Sequence, residues 1–473
     1  MSCLSTPLRF LPVLPKELQL ATVLKSGQSF RWHRSSPVAA TLPPSATPDT
    51  AEGEEWSFGC QDRTVVLRQD DHGVHYRALY PFKPPHAAYL ADVAHDTTRS
   101  MLVDYFQLDT PLAPLYDTWS ARDSSFKRKI ESDSDGRLRG IRVLKQDEWE
   151  TLVSFICSAN NNIARITLMV NRLCAQLGEP LPHPSHFDPV TVHEDPSLEL
   201  PSSVPPPPND LSLYTFPQPE LLTNIPRTEA LLRQLGFGYR ANFIPTSALH
   251  LVETSKALSI SPLEYLRSLR RDQYLCEGEA GGEALKQVRD KLLEFKGVGR
   301  KVADCVLLFG LGWSQVVPID THVFQIAIRD YGFPASKTTA LNLALHDKVS
   351  QHLAKQWQPH AGWCQQILFF ADLKSTSSTT TTSSPTKKEQ LTYAKVEIKE
   401  ELLEEDIKPS QRRNTFEDDV REIMDNPGRK RRRTTVIKTE TKIKVRQEPE
   451  VVVKTEPGIV EPVEVPLRIK EEV

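Results

Sequence analysis

Apolar positions recur at helical spacing on both sides of a glycine turn near residue 298. Residues 284–295 form a predicted amphipathic helix, and the apolar residues that share one face of it are Leu285, Val288, Leu292 and Phe295. The sequence Gly297-Val298-Gly299 interrupts this pattern, because glycine permits positive φ and a close approach of another backbone. A second, mostly apolar helix is predicted from Arg300 to Gly310. The pattern therefore predicts two helices joined by a tight hairpin.

The same patterning predicts an α+β fold for the rest of the chain. Up to about Asp123 it predicts strands, such as residues 64–68, and we expect an antiparallel sheet with a few helices beside it in an N-terminal domain of residues 1–146. From about Asp147 the pattern is helical, which predicts an α-helical domain over residues 147–373. Two insertions, near residues 34–55 and 182–213, are predicted to leave the core unchanged. The first is predicted to be a loop and the second, rich in proline, to be disordered.

Residues 374–473 differ sharply in composition and are predicted to form a disordered tail. Beyond a Ser/Thr run at residues 375–384, Tyr393 and Phe416 are the only aromatic residues, too few to bury a core. The basic cluster Arg429–Arg433 predicts a nuclear localisation signal or a DNA-contacting arm. Four matches to an apolar-Lys-any-Glu pattern resemble the acceptor motif for SUMO attachment, and they begin at Ile398, Ile437, Val453 and Ile469.

Charge and cysteine usage limit the kinds of site that the chain can carry. The formal net charge is −3, and the residues from Lys374 onward contain 21 Lys and Arg against 20 Asp and Glu, a net of +1. Residues 1–373 therefore carry a net charge of −4, so DNA binding would depend on a local basic groove and on backbone N–H groups. No Cys-x2-Cys pair occurs, which argues against zinc and against a four-cysteine iron–sulfur cluster. We find no signal peptide and no apolar run long enough to span a membrane.

The glycine hairpin is a candidate phosphate-binding site. The backbone N–H groups at the start of its second helix, and in the turn at Gly297 and Gly299, have no partner within the helix and can hold an anion. Val298 is expected to insert into the core and hold the turn in place. The alternative is a tight turn between two helices that binds no ligand.

Two charged residues at helix starts suggest chemistry on a sugar carbon. Lys301 lies in the first turn of the second predicted helix, where the helix dipole, Arg300 and burial each favour the free amine that a nucleophile requires. Asp320 is the predicted N-cap of a helix over residues 321–330. Its carboxylate could stabilise the positively charged sugar that forms when a glycosidic bond breaks. The alternatives are an ordinary solvated lysine and a simple cap.

These residues belong to segments that resemble the helix-hairpin-helix DNA glycosylases, and among them the eukaryotic 8-oxoguanine DNA glycosylases. The sequences FKGVGRKVADCVLLFGLG and VVPIDTHVFQIAIRDYG carry the resemblance. Further segments, in the family's order, are SGQSFRW at Ser26–Trp32, FICSANNNIARI at Phe155–Ile166, LGFGYRA at Leu235–Ala241 and AGWCQQILFFADL at Ala361–Leu373. One departure is Lys296, where the family usually has proline.

The resemblance implies a set of residues that hold the damaged base. Gly27 would accept the N7 hydrogen that 8-oxoguanine has and guanine lacks, through its backbone carbonyl. Gln365 would recognise the Watson–Crick edge of the flipped base and Phe369 would stack on it, while Cys305 would close the other side. For Phe369 and Cys305 the alternative is ordinary core packing.

The resemblance also implies residues that hold the DNA around the extruded nucleotide. Asn160, Arg165 and Arg240 would bind the orphaned cytosine, Tyr239 would wedge into the gap, and His322 would donate to a backbone phosphate. Filling the gap offsets the cost of base extrusion. The alternatives are a helix cap at the asparagines, a half-buried tyrosine and surface charges.

The expected activity is therefore that of a bifunctional DNA glycosylase and abasic-site lyase of base-excision repair, in which Lys301 forms a Schiff base and the strand is cleaved by β-elimination. The expected substrate is 8-oxoguanine opposite cytosine in double-stranded DNA, together with ring-opened oxidised purines. No organic cofactor is expected, although a monovalent or divalent cation at the hairpin carbonyls stays open. A monomer in the nucleus is expected, with mitochondria as a further compartment left open. A non-catalytic lesion-binding or scaffold protein, and an enzyme for adenine opposite 8-oxoguanine, are the competing hypotheses.

Overall fold

The computed structural model describes residues 3–35, 54–82, 86–184, 213–275, 282–336, 339 and 341–379, with side chains as far as residue 372. The expectations for residues 380–473, and for most of the two insertions, fall outside these ranges. In the described part of the chain no helix is long and apolar enough to cross a membrane.

A six-stranded antiparallel sheet occupies the N-terminal part of the chain, as predicted. Its strands are β1 (Cys3–Ser5), β2 (Arg9–Leu11), β3 (His33–Ser35), β4 (Glu55–Cys60), β5 (Arg63–Gln69) and β6 (Val74–Pro81). The order is β1-β6-β5-β4-β3, and β2 also pairs with β6. Residues 33–35 pair with residues 55–57, so the ends of the first predicted insertion are strand residues and only residues 36–53 lie outside the description. The second insertion is likewise flanked by a short strand pair, β7 (Pro180–Leu181) with β8 (Leu213–Tyr214).

The few helices expected beside the sheet are present, and this part of the chain is helical beyond Pro81. A short helix α1 (Leu20–Val23) precedes β3, and four helices follow β6: α2 (Ala87–His95), α3 (Thr97–Tyr105), α4 (Ala113–Arg122) and α5 (Ser124–Glu131). The physical signal for α5 is in the sequence, because Phe126 and Ile130 are four residues apart and both are buried. Asp123 caps this helix by accepting from the N–H groups of residues 125 and 126.

The remainder is helical, as predicted. The helices are α6 (Glu148–Ser158), α7 (Ile163–Leu177), α8 (Ile225–Gln234), α9 (Phe243–Ala257), α10 (Pro262–Ser268), α11 (Arg271–Tyr274), α12 (Gly282–Leu293), α13 (Arg300–Phe309), α14 (Thr321–Tyr331), α15 (Leu343–Gln356) and α16 (Ala361–Thr379). The last helix continues six residues past the predicted end of the domain at residue 373, into the Ser/Thr run, because a helix already formed extends more readily than it starts.

One large hydrophobic cluster fills the helical part, and its largest fully buried side chains include Trp119, Trp149, Trp313, Trp357 and Trp363. A smaller cluster packs the sheet against α1 and α3. Phe30, which lies in the segment before β3, belongs to the large cluster. This segment of the N-terminal domain therefore packs into the helical core.

Arg31, next to Phe30, joins the two parts of the structure. It is 4 % exposed and lies 2.5 Å from the carboxylate of Glu150 on α6. It also donates to the carbonyl of Gly59 on β4 and to that of Tyr214 on β8. Burial raises the pKa of Glu150, and the Arg31 guanidinium opposes that shift. One buried guanidinium therefore connects the sheet, the β7–β8 pair and the first helix after residue 147.

Candidate active site

The predicted helix-hairpin-helix is formed by α12 and α13. Val298 is buried and belongs to the large hydrophobic cluster, as expected. Gly297 has φ of +83°, and a Cβ there would lie 2.4 Å from Cδ2 of Phe243. Gly299 has an extended conformation as the N-cap of α13, and a Cβ there would meet nothing within 4 Å. Gly297 is therefore required by packing inside the protein, whereas the Gly299 side of the turn faces open space.

A cavity of about 900 Å³ opens beside this hairpin. It gathers residues from α6, α7, α13, α14 and α16 and from the loop before β3. The predicted site residues that line it are Gly27, Asn160, Gly297, Gly299, Lys301, Asp320, His322 and Phe369. Cys305, Arg165, Tyr239, Arg240 and Gln365 are not among its lining residues.

The Lys301 amine lies at this cavity, on the first turn of α13. Its Nζ donates a hydrogen bond to Oγ of Ser158, 3.1 Å away on the last turn of α6. The same Nζ lies 5.2 Å from the centroid of the Phe155 ring. The amine is thus partly buried between a hydroxyl and an aromatic face. No carboxylate lies within 4 Å of it among the described residues.

Asp320 is the N-cap of α14, as predicted. Its Oδ1 accepts a hydrogen bond of 2.9 Å from the N–H of Val323. This places a carboxylate at the positive end of the α14 dipole. The side chain is half-buried and lines the same cavity as Lys301.

The residues expected to hold a base lie at different depths. Gly27 lines the cavity with φ of +80°, and a Cβ there would lie 2.8 Å from Cδ1 of Ile163. Phe369 lines it from α16. Gln365, one turn earlier on α16, is 5 % exposed, and its Oε1 has no hydrogen-bond partner among the described residues. Burial raises the pKa of the Cys305 thiol to about 11, against the opposing effect of Lys301, so the thiol is neutral.

The residues expected to hold the opposite strand meet at the turn between α6 and α7. The Tyr239 hydroxyl donates to the carbonyl of Ala159 over 2.9 Å, and its ring is about half exposed. Arg240 is buried and donates to the carbonyls of Ala159 and Asn160. Arg165 is exposed and makes one long hydrogen bond of 3.4 Å to the carbonyl of Gly236.

Asparagine residues shape this turn. Asn160 has φ of +50°, and its side chain is exposed beside the cavity. Asn162 caps α7 by accepting from the N–H of Arg165, which confirms the cap that the sequence left as an alternative. The cap is therefore Asn162, and Asn160 stays a candidate contact to the opposite strand.

His322 stands at the rim of the cavity. Its ring packs edge-on against Phe369 with centroids 6.0 Å apart, and its Nδ1 lies 3.9 Å from the carboxylate of Asp372. The imidazole is about half exposed. It is therefore oriented by α16 and open to a ligand on its other side.

A buried charge cluster holds the start of α13, and the sequence analysis did not single it out. Asp304 is fully buried and accepts from Arg289 on α12 over 2.8 Å and from Arg300 over 3.3 Å. Arg300 also contacts the carboxylate of Asp347 on α15 over 2.5 Å. Burial raises the pKa of Asp304, and both arginines oppose that shift. The i, i+4 spacing of Arg300 and Asp304 was the available signal.

The structure brings a glycine hairpin, a lysine amine and a capping carboxylate to one cavity. This is the combination for which the sequence resembles the helix-hairpin-helix DNA glycosylases.

Comparison with known proteins agrees with this class. Residues 10–152 match the model described as 8-oxoguanine DNA glycosylase, N-terminal domain, and residues 153–359 match the HhH-GPD superfamily of base excision DNA repair proteins. The N-glycosylase/DNA lyase of Saccharomyces cerevisiae is 35 % identical over 389 residues, which cover 78 % of this chain and 87 % of the yeast protein. The N-glycosylase/DNA lyase OGG1 of Arabidopsis thaliana is 31 % identical over 362 residues, covering 76 % and 78 %.

The fold also agrees with a solved structure. The 8-oxoguanine glycosylase/lyase of Clostridium acetobutylicum, in its apo form, superimposes with a TM-score of 0.50 at 21 % identity, over 77 % of this chain and 98 % of that protein. The chain therefore belongs to the 8-oxoguanine DNA glycosylase family, and it is a bifunctional DNA N-glycosylase and lyase.

Proposed function

We propose that the chain removes 8-oxoguanine opposite cytosine from double-stranded DNA through a Schiff base on Lys301, and then cleaves the strand by β-elimination. Ring-opened oxidised purines are further substrates. The observation that carries this proposal is the shared cavity of Lys301, Asp320, Gly27 and Phe369, which is bordered by the open side of the glycine hairpin.

The chemistry assigned to the cavity begins at the Lys301 amine. Its lone pair attacks C1′ of the flipped nucleotide, the C1′–N9 bond breaks, and the base leaves with the bonding electrons and takes up a proton. The hydroxyl of Ser158 and the ring of Phe155 hold the amine in one place. The Asp320 carboxylate stabilises the positive charge that develops on the sugar.

The base would be held by groups in the cavity and by Gln365 beside it. The carbonyl of Gly27 would accept the N7 hydrogen of 8-oxoguanine, and guanine would leave that acceptor unpaired at a cost of ~1–3 kcal/mol. Oε1 of Gln365 is a buried acceptor without a partner among the described residues. It would accept a hydrogen bond from the Watson–Crick edge of the flipped base when the base enters the site. Phe369 supplies a stacking face.

Borohydride trapping tests the nucleophile. The wild-type protein should form a covalent adduct with a duplex that contains 8-oxoguanine opposite cytosine, and Lys301→Gln should form none. Lys296→Gln is the matched control, because Lys296 is an exposed lysine five residues earlier in the same hairpin. An undiminished adduct in Lys301→Gln would contradict the assignment.

The opposite-base preference is assigned to Asn160, Arg165, Tyr239 and Arg240. Tyr239 and Arg240 bind the Ala159–Asn160 backbone, which brings the two segments into one surface next to the cavity. Arg165 is the member whose replacement disturbs the fold least. We expect Arg165→Ala to reduce the preference for cytosine in a panel of 8-oxoguanine duplexes with each opposite base, with no loss of thermal stability. An unchanged preference would remove Arg165 from the set.

The remaining expectations concern partners and location. His322 is proposed to donate to a backbone phosphate, and a cation at the hairpin carbonyls stays a proposal of the same kind. The Arg429–Arg433 cluster is proposed to direct nuclear import, and the four acceptor-like lysine motifs to receive SUMO. Microscopy of fluorescent fusions with and without residues 429–433 tests nuclear import. Mass spectrometry of the protein from nuclear extracts tests the attachment of SUMO. Finding no modified lysine with all four motifs intact would count against this proposal.

A further inference from the structure

The loop that carries Gly27 is held by its two neighbours. Ser26 and Gln28 are each 1 % exposed, whereas Gly27 between them lines the cavity. The carbonyls of Ser26 and Gln28 both accept hydrogen bonds from buried amide side chains. The Gly27 carbonyl accepts no hydrogen bond from any residue that the structure describes.

Two glutamines from distant parts of the chain donate these bonds. Gln366 on α16 donates from Nε2 to the carbonyl of Ser26 over 3.0 Å. Gln146 donates from Nε2 to the carbonyl of Gln28 over 2.7 Å. Both glutamines are buried, with 3 % and 6 % exposure. The loop is therefore held on both sides of the glycine by side chains 118 and 340 residues away in the sequence.

Gln28 completes the attachment. Its Nε2 donates to the carbonyl of Arg142 over 2.8 Å, and its Oε1 accepts from the N–H of Leu144 over 2.9 Å. The two segments that supply Gln146 and Gln366 are also connected to elements around the site. The backbone N–H of Gln146 binds the carbonyl of Phe309 at the end of α13, and Gln366 directly follows Gln365.

Side-chain packing limits the loop from the cavity side as well. A Cβ at residue 27 would lie 2.8 Å from Cδ1 of Ile163, and φ is +80°, so the position accepts only glycine without strain. The two glutamines therefore hold a loop whose central residue leaves its backbone uncovered by a side chain. An acceptor that discriminates one hydrogen on a base must be held to a fraction of an ångström, because hydrogen bonds weaken steeply with distance and angle.

We propose that Gln366, together with Gln146, is a positioning residue that holds the Gly27 carbonyl in place and so sets the discrimination for 8-oxoguanine. The proposal rests on the proposed function, in which that carbonyl accepts the N7 hydrogen of the lesion. Gln366 itself touches neither base nor sugar. Its hydrogen bond to the Ser26 carbonyl fixes the peptide group before Gly27, and so the orientation of the Gly27 carbonyl.

The test compares two substrates on the full-length protein with Gln366→Met, which keeps the length of the side chain and removes the donor. One duplex carries 8-oxoguanine opposite cytosine, and the other carries an abasic site opposite cytosine, which offers no base to recognise. We expect excision of 8-oxoguanine to fall by about three- to tenfold, the equivalent of one hydrogen bond. Strand cleavage at the abasic site should be unchanged.

Thr64→Val is the matched control. Thr64 is fully buried in the sheet and donates to the carbonyl of Pro182 over 2.6 Å, so its replacement also removes a buried side-chain donor from a backbone carbonyl. Among the described residues no hydrogen bond joins Thr64 to the Ser26–Gln28 loop, so both activities should change together or not at all. Gln146→Met repeats the test from the other side of the loop if Gln366→Met does not fold.

The outcomes separate the two proposals. An equal loss on both substrates, or no loss on either, would overturn the role of the glutamines while leaving the proposed function intact. If the wild-type protein does not excise 8-oxoguanine but cleaves the abasic site, the proposed substrate is wrong, whatever the variants do. A selective loss in Gln366→Met supports the positioning role.

Discussion

Replacing Gly297 by alanine should disrupt the packing of the hairpin against α9, the helix that begins at Phe243. Gly297 has φ of +83°, a conformation that costs an L-residue roughly 1–2 kcal/mol. A Cβ there would also lie 2.4 Å from Cδ2, 2.8 Å from Cγ and 3.0 Å from Cβ of Phe243. Because the contact includes the stem of that side chain, rotation of the ring cannot relieve it, and overpacking of this kind costs roughly 1–3 kcal/mol.

The two contributions together predict a loss of about 2–5 kcal/mol in the free energy of unfolding for Gly297→Ala. Urea unfolding measures this as a lower midpoint at constant slope. Phe243 packs edge-on against Tyr239 with centroids 5.7 Å apart, so its displacement should also weaken binding to duplex DNA under the proposed function.

Gly299→Ala provides the control within the same turn. No atom lies within 4 Å of its virtual Cβ and its φ is −93°, so the loss of stability should stay below about 1 kcal/mol. Its new methyl group projects on the open side of the hairpin, where DNA is proposed to bind, so affinity should fall without a stability change. Equal stabilities of the two variants would refute the assignment of Gly297 to internal packing.

Further predictions concern buried charge, pH and the capping carboxylate. Glu150→Leu leaves the buried Arg31 without a counter-charge and should lower the free energy of unfolding by roughly 3–5 kcal/mol in urea titrations, a loss that Arg31→Met in the same chain should partly restore. Burial lowers the pKa of His346 to about 4, so between pH 6.5 and 4 the unfolded state binds a proton that the folded state does not. The free energy of unfolding should therefore decline by up to about 3 kcal/mol as the pH falls through that window. Thermal unfolding at several pH values should show a shallower decline for His346→Gln, and equal slopes of stability against pH would contradict the assignment. Asp320→Ser keeps a cap for Val323 but removes the charge, so thermal stability should stay near wild type while excision falls by about a hundredfold or more.

Most of the hairpin could be predicted from the local sequence pattern. Val298, Leu292 and Phe295 are buried as their spacing predicted, and helices begin at Arg300 and Thr321 as expected. These features depend on residues within a few turns of one another, so periodicity and capping chemistry are sufficient. The sequence predicted a few helices beside the N-terminal sheet without their bounds, and four of them lie between residues 87 and 131.

The sequence by itself determined the hairpin, the cap at Asp320 and the α+β order of elements, since each depends on side-chain type and short-range spacing. Only the tertiary structure decided which groups meet. The bond from the Lys301 amine to Ser158 and the bonds from Gln146 and Gln366 to the Gly27 loop all join segments far apart in the chain. A hydrogen bond between such segments leaves no periodic trace in the sequence, because its geometry arises only when the whole core has packed.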